Sequence, residues 1–375
     1  QMDNIKLGNF EAISLILIII INHIILNFSK TIISATGSAS ALNILFIGII
    51  LLLFIELVIF LFKRFTRLDI LDISSYLGGR ILKTITGILF IGYYIVFASI
   101  LLRTFCENLK IIYLDKLPIT IIVIIFLIAI TYANKLGFKV ISKVNMLFLP
   151  IILFCMIFVF IANIKNYNLS GLFPLLGYGP KTTFLLGLSN LFAFSSISIL
   201  YFLPPMVNDN SFKKIARVST ILSILLFFIG IFSFLCLFSF LRNSEEIMAL
   251  YLATRYIEFG RFFQRLDAVF LMIWTIGVIS YLCIITALSM HIFKKITNIK
   301  NSSALVYCFS GIIYVITLIP KNIAQANYIE INIFKYVVFF LLFGYSLFVL
   351  IFANIKKISS QNVQISSKTQ KHRKT

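Results

Sequence analysis

The residues with the most chemistry to offer are polar side chains set inside long apolar runs: Asn22, His23 and Asn27 in ISLILIIIINHIILN, and Ser195, Ser196 and Ser198 in FAFSSISILYFLPP. Amide, imidazole and hydroxyl groups at membrane depth are costly unless they are hydrogen-bonded, so they mark packed interfaces or solute-lined cavities. Their chemistry is recognition by hydrogen bonding. Inter-helix bonding and ligand contact both account for them. Nothing in the chain forms a catalytic constellation. There is no Walker loop, no GxSxG and no HExxH, and His23, His291 and His372 are scattered, so no enzymatic activity is expected.

These groups must be positioned by membrane helices. Hydrophobic residues make up 60% of the 375, charged residues 12%, and the mean hydropathy is +1.04, which excludes a water-soluble fold. Runs long enough to cross a bilayer fall near residues 10–33, 42–62, 81–102, 117–133 and 145–163, then 183–206, 217–241, 266–293, 303–319 and 333–354. The expected fold is an all-α polytopic membrane protein of about ten spans. It forms a single domain over residues 1–355, with residues 356–375 as a disordered cytoplasmic tail. The first run is too long for a signal peptide and lacks a preceding basic segment, so it is expected to stay as a span.

The net charge of +20 reads as basic loops facing anionic lipid headgroups and not as nucleic-acid binding. An N-terminus placed in the cytoplasm leaves 21 of the 33 Lys and Arg residues inside and 12 outside, so both termini are predicted to be cytoplasmic. Residues 66–79 read as an amphipathic linker at that interface. Residues 242–264 read as an external helical segment suited to a lid. The five cysteines form no CxxC pair, and neither a disulfide framework, a metal site nor a cofactor is indicated.

Other polar positions fit structural roles. Glu56, inside ILFIGIILLLFIELVIFLF, is expected to be protonated or to snorkel toward Lys63 and Arg64. Arg103 and Glu107 have the i, i+4 spacing of a helix-surface ion pair. Trp274 and Tyr281, two turns apart on one side of span eight, suit core packing. Pro204 and Pro205 remove two backbone donors after the serines, and together these favour a broken sixth span. Spans one and six open two successive five-span sets, the positions where inverted-repeat transporters place discontinuous helices.

The chain resembles the B-subunit family of spore germinant receptors, a branch of the amino acid, polyamine and organocation transporter superfamily. The resemblance rests most on RFFQRLDAVFLMIWTIGVISYL, with its Arg265, Asp267 and Trp274 spacing. LDISSYLGGRILKTITGILFIGYY, LLRTFCENLKIIYLDKLP, YANKLGFKVISKVN and NLSGLFPLLGYGP support it. It implies a LeuT-like 5+5 inverted repeat, with repeat one about 10–163 and repeat two about 183–354. It also implies a midplane pocket between spans one, three, six and eight, to which Tyr94 and Trp274 would add to Asn22, His23, Asn27, Ser195, Ser196 and Ser198. The implied function is to bind a small nutrient germinant, an amino acid or similar, in the spore inner membrane and to signal to A and C subunits. Transport of a solute by the same superfamily fold is the alternative. Such a pocket holds no acidic side chain, so an ammonium ligand would be met by carbonyls at broken helix ends.

Overall fold

The computed structural model describes residues 6–25, 28–238, 249–257, 266–299 and 303–357. Asn27, most of the 242–264 segment and the tail beyond Lys357 lie outside them. Eight described helices are long and apolar enough to cross a membrane, and two shorter apolar helices, Asn9–Ile25 and Ala304–Thr317, join them. Each of the ten expected runs overlaps one or more of these helices, with Phe28–Phe62 covering the end of the first run and all of the second, so the chain is an all-α polytopic membrane protein.

The chain starts with α1 (Asn9–Ile25), followed by α2 (Phe28–Thr36) and α3 (Ser40–Phe62). After these come α4 (Ile70–Ile112), α5 (Ile119–Leu136) and α6 (Phe138–Ala162). An irregular helix, α7 (Lys181–Tyr201), precedes α8 (Asp209–Leu237). The short α9 (Ala249–Arg255), α10 (Leu266–Thr297), α11 (Ser303–Thr317) and α12 (Ile323–Lys357) complete the order.

Position in the bundle follows from each helix's pattern. From Ala12 to Ile25 the side chains of α1 are all buried, because NFEAISLILIIIINHII is apolar on every side and can be surrounded. It packs against α6, α7, α8 and α10 and is the axis of the molecule. α3 is as apolar but lies at the rim, with Ile49, Leu53 and Phe60 exposed where lipid would cover them.

Two elements are irregular in ways that shape the centre. In α4 the backbone breaks at Gly78 and at Gly79, where φ is +64° and only glycine sits without strain. The preceding turn, Ile70 to Leu77, is the expected linker. It is folded into the bundle through buried Ile70, Leu71 and Ile73, because Asp69 and Asp72 form a reciprocal capping box that starts a helix there. α7 starts with a π turn and continues in 3-10 turns from Leu186 to Tyr201, interrupted at Phe194. The break therefore lies just before the serines, and Pro204 and Pro205 stand in a separate turn beyond the helix.

Candidate functional site

The polar residues of α1 meet the interrupted part of α7 and the middle of α10. Asn22 Nδ2 donates to the Ile18 carbonyl at 2.8 Å and to the Gly277 carbonyl of α10 at 3.0 Å. A Cβ at position 277 would lie 3.4 Å from that nitrogen, in ordinary van der Waals contact with Asn22. His23 Nδ1 lies 2.9 Å from the Ala193 carbonyl, the last one before Phe194, whose φ of −93° and ψ of 25° leave helical geometry. A carbonyl only accepts, so His23 carries its proton on Nδ1 and presents Nε2 as a bare acceptor. The ring stacks on Phe28 of α2 at 4.3 Å, with Phe97 of α4 edge-on at 5.6 Å and Tyr281 of α10 at 6.0 Å.

Around these contacts is a group of buried polar atoms without hydrogen-bond partners, Asn22 Oδ1, His23 Nε2, Ser196 Oγ, Tyr281 Oη and Trp274 Nε1, and beside them the Ser195 and Tyr94 hydroxyls, whose nearest polar neighbours are only Tyr93 and Ser198. None of these residues is more than 2% exposed. Buried polar groups are bonded in the large majority of cases, and an unpaired one costs about 1–3 kcal/mol. Several within a few turns of each other mark the place where the fold withholds partners from its own polar groups. Ser195 and Ser198 lie against Tyr93, and Tyr94 lies beside Ser198. Trp274 stands apart in a second aromatic cluster, edge-on to Phe105 at 4.6 Å. The cluster is closed, so a solute reaches it only when the helices part.

Residues 6–326 match the sequence profile of a family described as spore germination protein. The chain belongs to this spore germination protein family. A curated relative, spore germination protein A2 of Bacillus subtilis strain 168, is 21% identical over 354 residues, covering 90% of this chain and 95% of the relative. The family spans the central cluster and all helices through the start of α12, so the core just described is that of an integral membrane germination protein.

The germination-family core is tied at both ends by bonds that join residues far apart in the chain. At the basic end, Lys295 of α10 donates to Asp69 at 2.8 Å and to Asp72 at 2.6 Å. Burial pushes the Asp69 carboxyl up to about 6, against the pull of the Lys295 ammonium and with the push of Asp72. The Leu7 amide, ahead of α1, donates to the Met206 carbonyl beyond α7 at 2.8 Å. At the opposite end Asp267 accepts from Tyr113 Oη at 2.9 Å. Arg103 and Glu107 form their ion pair at 2.7 Å, but it is buried and not on the helix surface, and Arg103 also donates to the Lys321 carbonyl at 3.0 Å.

Other contacts differ from the sequence expectation or were not foreseen by it. Glu56 does not reach for Lys63 or Arg64. It takes both the Nε and the Nη2 of Arg217, the latter at 2.7 Å, because α8 lies alongside α3 and presents a fork matched to a carboxylate. Tyr281, and not Trp274, faces His23. The acceptors that hold Asn22 and His23 are the backbone carbonyls of Gly277 and Ala193, which no residue type announces. Among the described residues no group of His, Cys, Asp or Glu could hold a metal ion.

Proposed function

We propose that this chain is the ligand-binding B subunit of a spore germinant receptor. A small polar nutrient, an amino acid or similar, would bind between the polar end of α1 and the interruption of α7 at Phe194. The observation that carries the reading is the set of unpartnered polar atoms at the junction of α1, α4, α7 and α10, with His23 Nε2 and Asn22 Oδ1 as acceptors and the Ser195, Ser196, Tyr94 and Tyr281 hydroxyls beside them. The set carries no ionised side chain. It therefore suits a neutral or zwitterionic solute whose N–H groups meet the acceptors and whose oxygens meet the hydroxyls. Binding shifts the equilibrium from the closed arrangement to one in which the helices are re-spaced, and that change passes to A and C subunits. The two five-span sets form an inverted repeat in the spore inner membrane, with both termini cytoplasmic, in keeping with the Lys and Arg asymmetry of the loops.

A cavity of about 520 Å³ at the basic end, lined by Lys6, Arg67, Asp72, Asn208 and Lys295, lies at the ends of α1 and α7 and favours the alternative of solute transport. Spores carrying Ser195→Ala or Ser196→Ala should need a different germinant concentration for half-maximal response; unchanged responses in both would reject this site. Uptake of labelled amino acids by proteoliposomes holding this chain alone would replace sensing with transport.

A further inference from the structure

Between α5, α6 and α10 lies a cavity that the central cluster does not use. α5 ends and α6 begins on either side of a single residue, Gly137, whose φ of +95° favours glycine, and α10 packs against both helices. The space left between the three is about 350 Å³, at the small end of the range of about 300–1,000 Å³ that ligand cavities occupy. Its mouth opens on the surface that lipid would cover. Leu136, Val140 and Val144 line it there and are 51%, 41% and 38% exposed. Its floor is buried and carries the polar groups, with Asn145 and Ser280 only 1% and 4% exposed. Among the described residues no charged side chain lines it.

Asn145 decides what the cavity suits. Its Nδ2 is buried without a hydrogen-bond partner, inside a span where an unmet amide is costly. A lipid tail entering by the mouth is hydrocarbon alone and leaves that donor unmet. A carboxylate or an ammonium finds no opposite charge. An apolar wall with one donor at its buried end is complemented by an uncharged molecule that has one carbonyl oxygen on a short hydrocarbon chain. The place is also distinct from the central cluster. Ile276, Ile279, Ser280 and Cys283 line the cavity from one face of α10, whereas Gly277, bonded to Asn22, and Tyr281, beside His23, lie on another. We propose that this cavity is a second binding site, for a small uncharged carbonyl compound, with its oxygen on Asn145 and its chain toward Val140 and Val144. Its occupant touches α10 from behind the central cluster.

The test photolabels the full chain in detergent with a diazirine analogue of 2-octanone, in competition with unlabelled 2-octanone or with nonane. Label should fall within residues 132–148 and 276–283. A buried donor left unmet costs about fivefold or more in affinity, so 2-octanone should suppress labelling at a concentration at least about fivefold lower than nonane. Asn145→Leu should erase that difference. Val144→Phe, which narrows the mouth and keeps the amide, should abolish labelling. His23→Asn, on the far side of α10, should leave the affinity for 2-octanone within about twofold of wild type. Equal suppression by nonane and 2-octanone would mean a groove that takes hydrocarbon alone and would overturn the proposal, as would equal losses in Asn145→Leu and His23→Asn. If Asn145→Leu does not fold, the unaltered protein decides: label in the two stretches with ketone preferred to nonane supports the site, and label elsewhere overturns it.

Discussion

Replacing His23 separates its two nitrogens. Nδ1 ties α1 to the Ala193 carbonyl at 2.9 Å, whereas Nε2 is buried with no partner. In His23→Asn the amide nitrogen takes the place of Nδ1 and keeps the tie, but no atom replaces Nε2. In His23→Phe both are lost while the stacking on Phe28 is kept. Inter-helix hydrogen bonds in membranes contribute about 0.6 kcal/mol on average and at most about 1.7. His23→Phe should lose no more than that, and His23→Asn, which keeps the tie but gives up the stacking on Phe28, should lose about 0.5–1.5 kcal/mol. A ligand donor left without its buried acceptor costs about 1–3 kcal/mol, or roughly 5- to 150-fold in affinity. Both variants should therefore raise the germinant concentration for half-maximal response by at least about fivefold, whichever of the two has the lower melting temperature. The assays are spore germination against germinant concentration at matched protein level, and thermal melting of the purified chain. A wild-type dose response in His23→Asn would refute the reasoning. So would losses of response that merely track losses of stability.

The latch at the basic end gives a pH dependence of defined sign. Folding raises the Asp69 carboxyl from 3.8 to about 6, so its contribution to stability is complete below pH 4 and is lost as pH rises through 6. The change is on the order of 2–3 kcal/mol. The melting temperature of wild type should fall between pH 5 and pH 7, and Asp69→Asn should flatten that slope. Gly177 has φ +53°, and a Cβ there would sit 2.1 Å from the Thr36 carbonyl oxygen, so Gly177→Ala should cost about 2 kcal/mol or more in thermal stability. Glu107→Leu leaves the buried Arg103 with only the Lys321 carbonyl and should cost about 3 kcal/mol. Arg103→Met added to it should restore most of that loss in a double-mutant cycle.

The helices were legible because the bilayer imposes one rule, about 20 apolar residues per span, which eight of the described helices meet and two shorter apolar ones approach. Asn22, His23 and Ser195 were legible for the converse reason: a polar residue in such a run needs a structural or functional partner. Their partners were not. Gly277 and Ala193 act through backbone carbonyls, which every residue possesses, and the choice among them is made by where α7 departs from helical geometry. That departure is at Phe194, an apolar residue with no helix-breaking signature, and not at the prolines ten residues on. The Arg103–Glu107 pair was legible from its i, i+4 spacing, but the ion pairs between helices were not. Glu56 was read against cations on its own helix, yet its partner is 161 residues away, and the Asp69–Lys295 pair spans 226. Helix periodicity ranks neighbours within one element, whereas these contacts depend on which helices lie side by side.

The account stands on the unpartnered polar atoms between α1, α7 and α10 being complemented by a solute. Equilibrium binding to the purified chain, read as thermal stabilisation across the amino acids and compared with His23→Asn, tests this most directly. At 100 times its dissociation constant a true ligand adds about 2.7 kcal/mol to the stability of the folded wild-type chain. The prediction is one or a few compounds with that saturable effect, displaced to higher concentration in the variant. A shift of equal size in wild type and His23→Asn, or none for any compound, would contradict it.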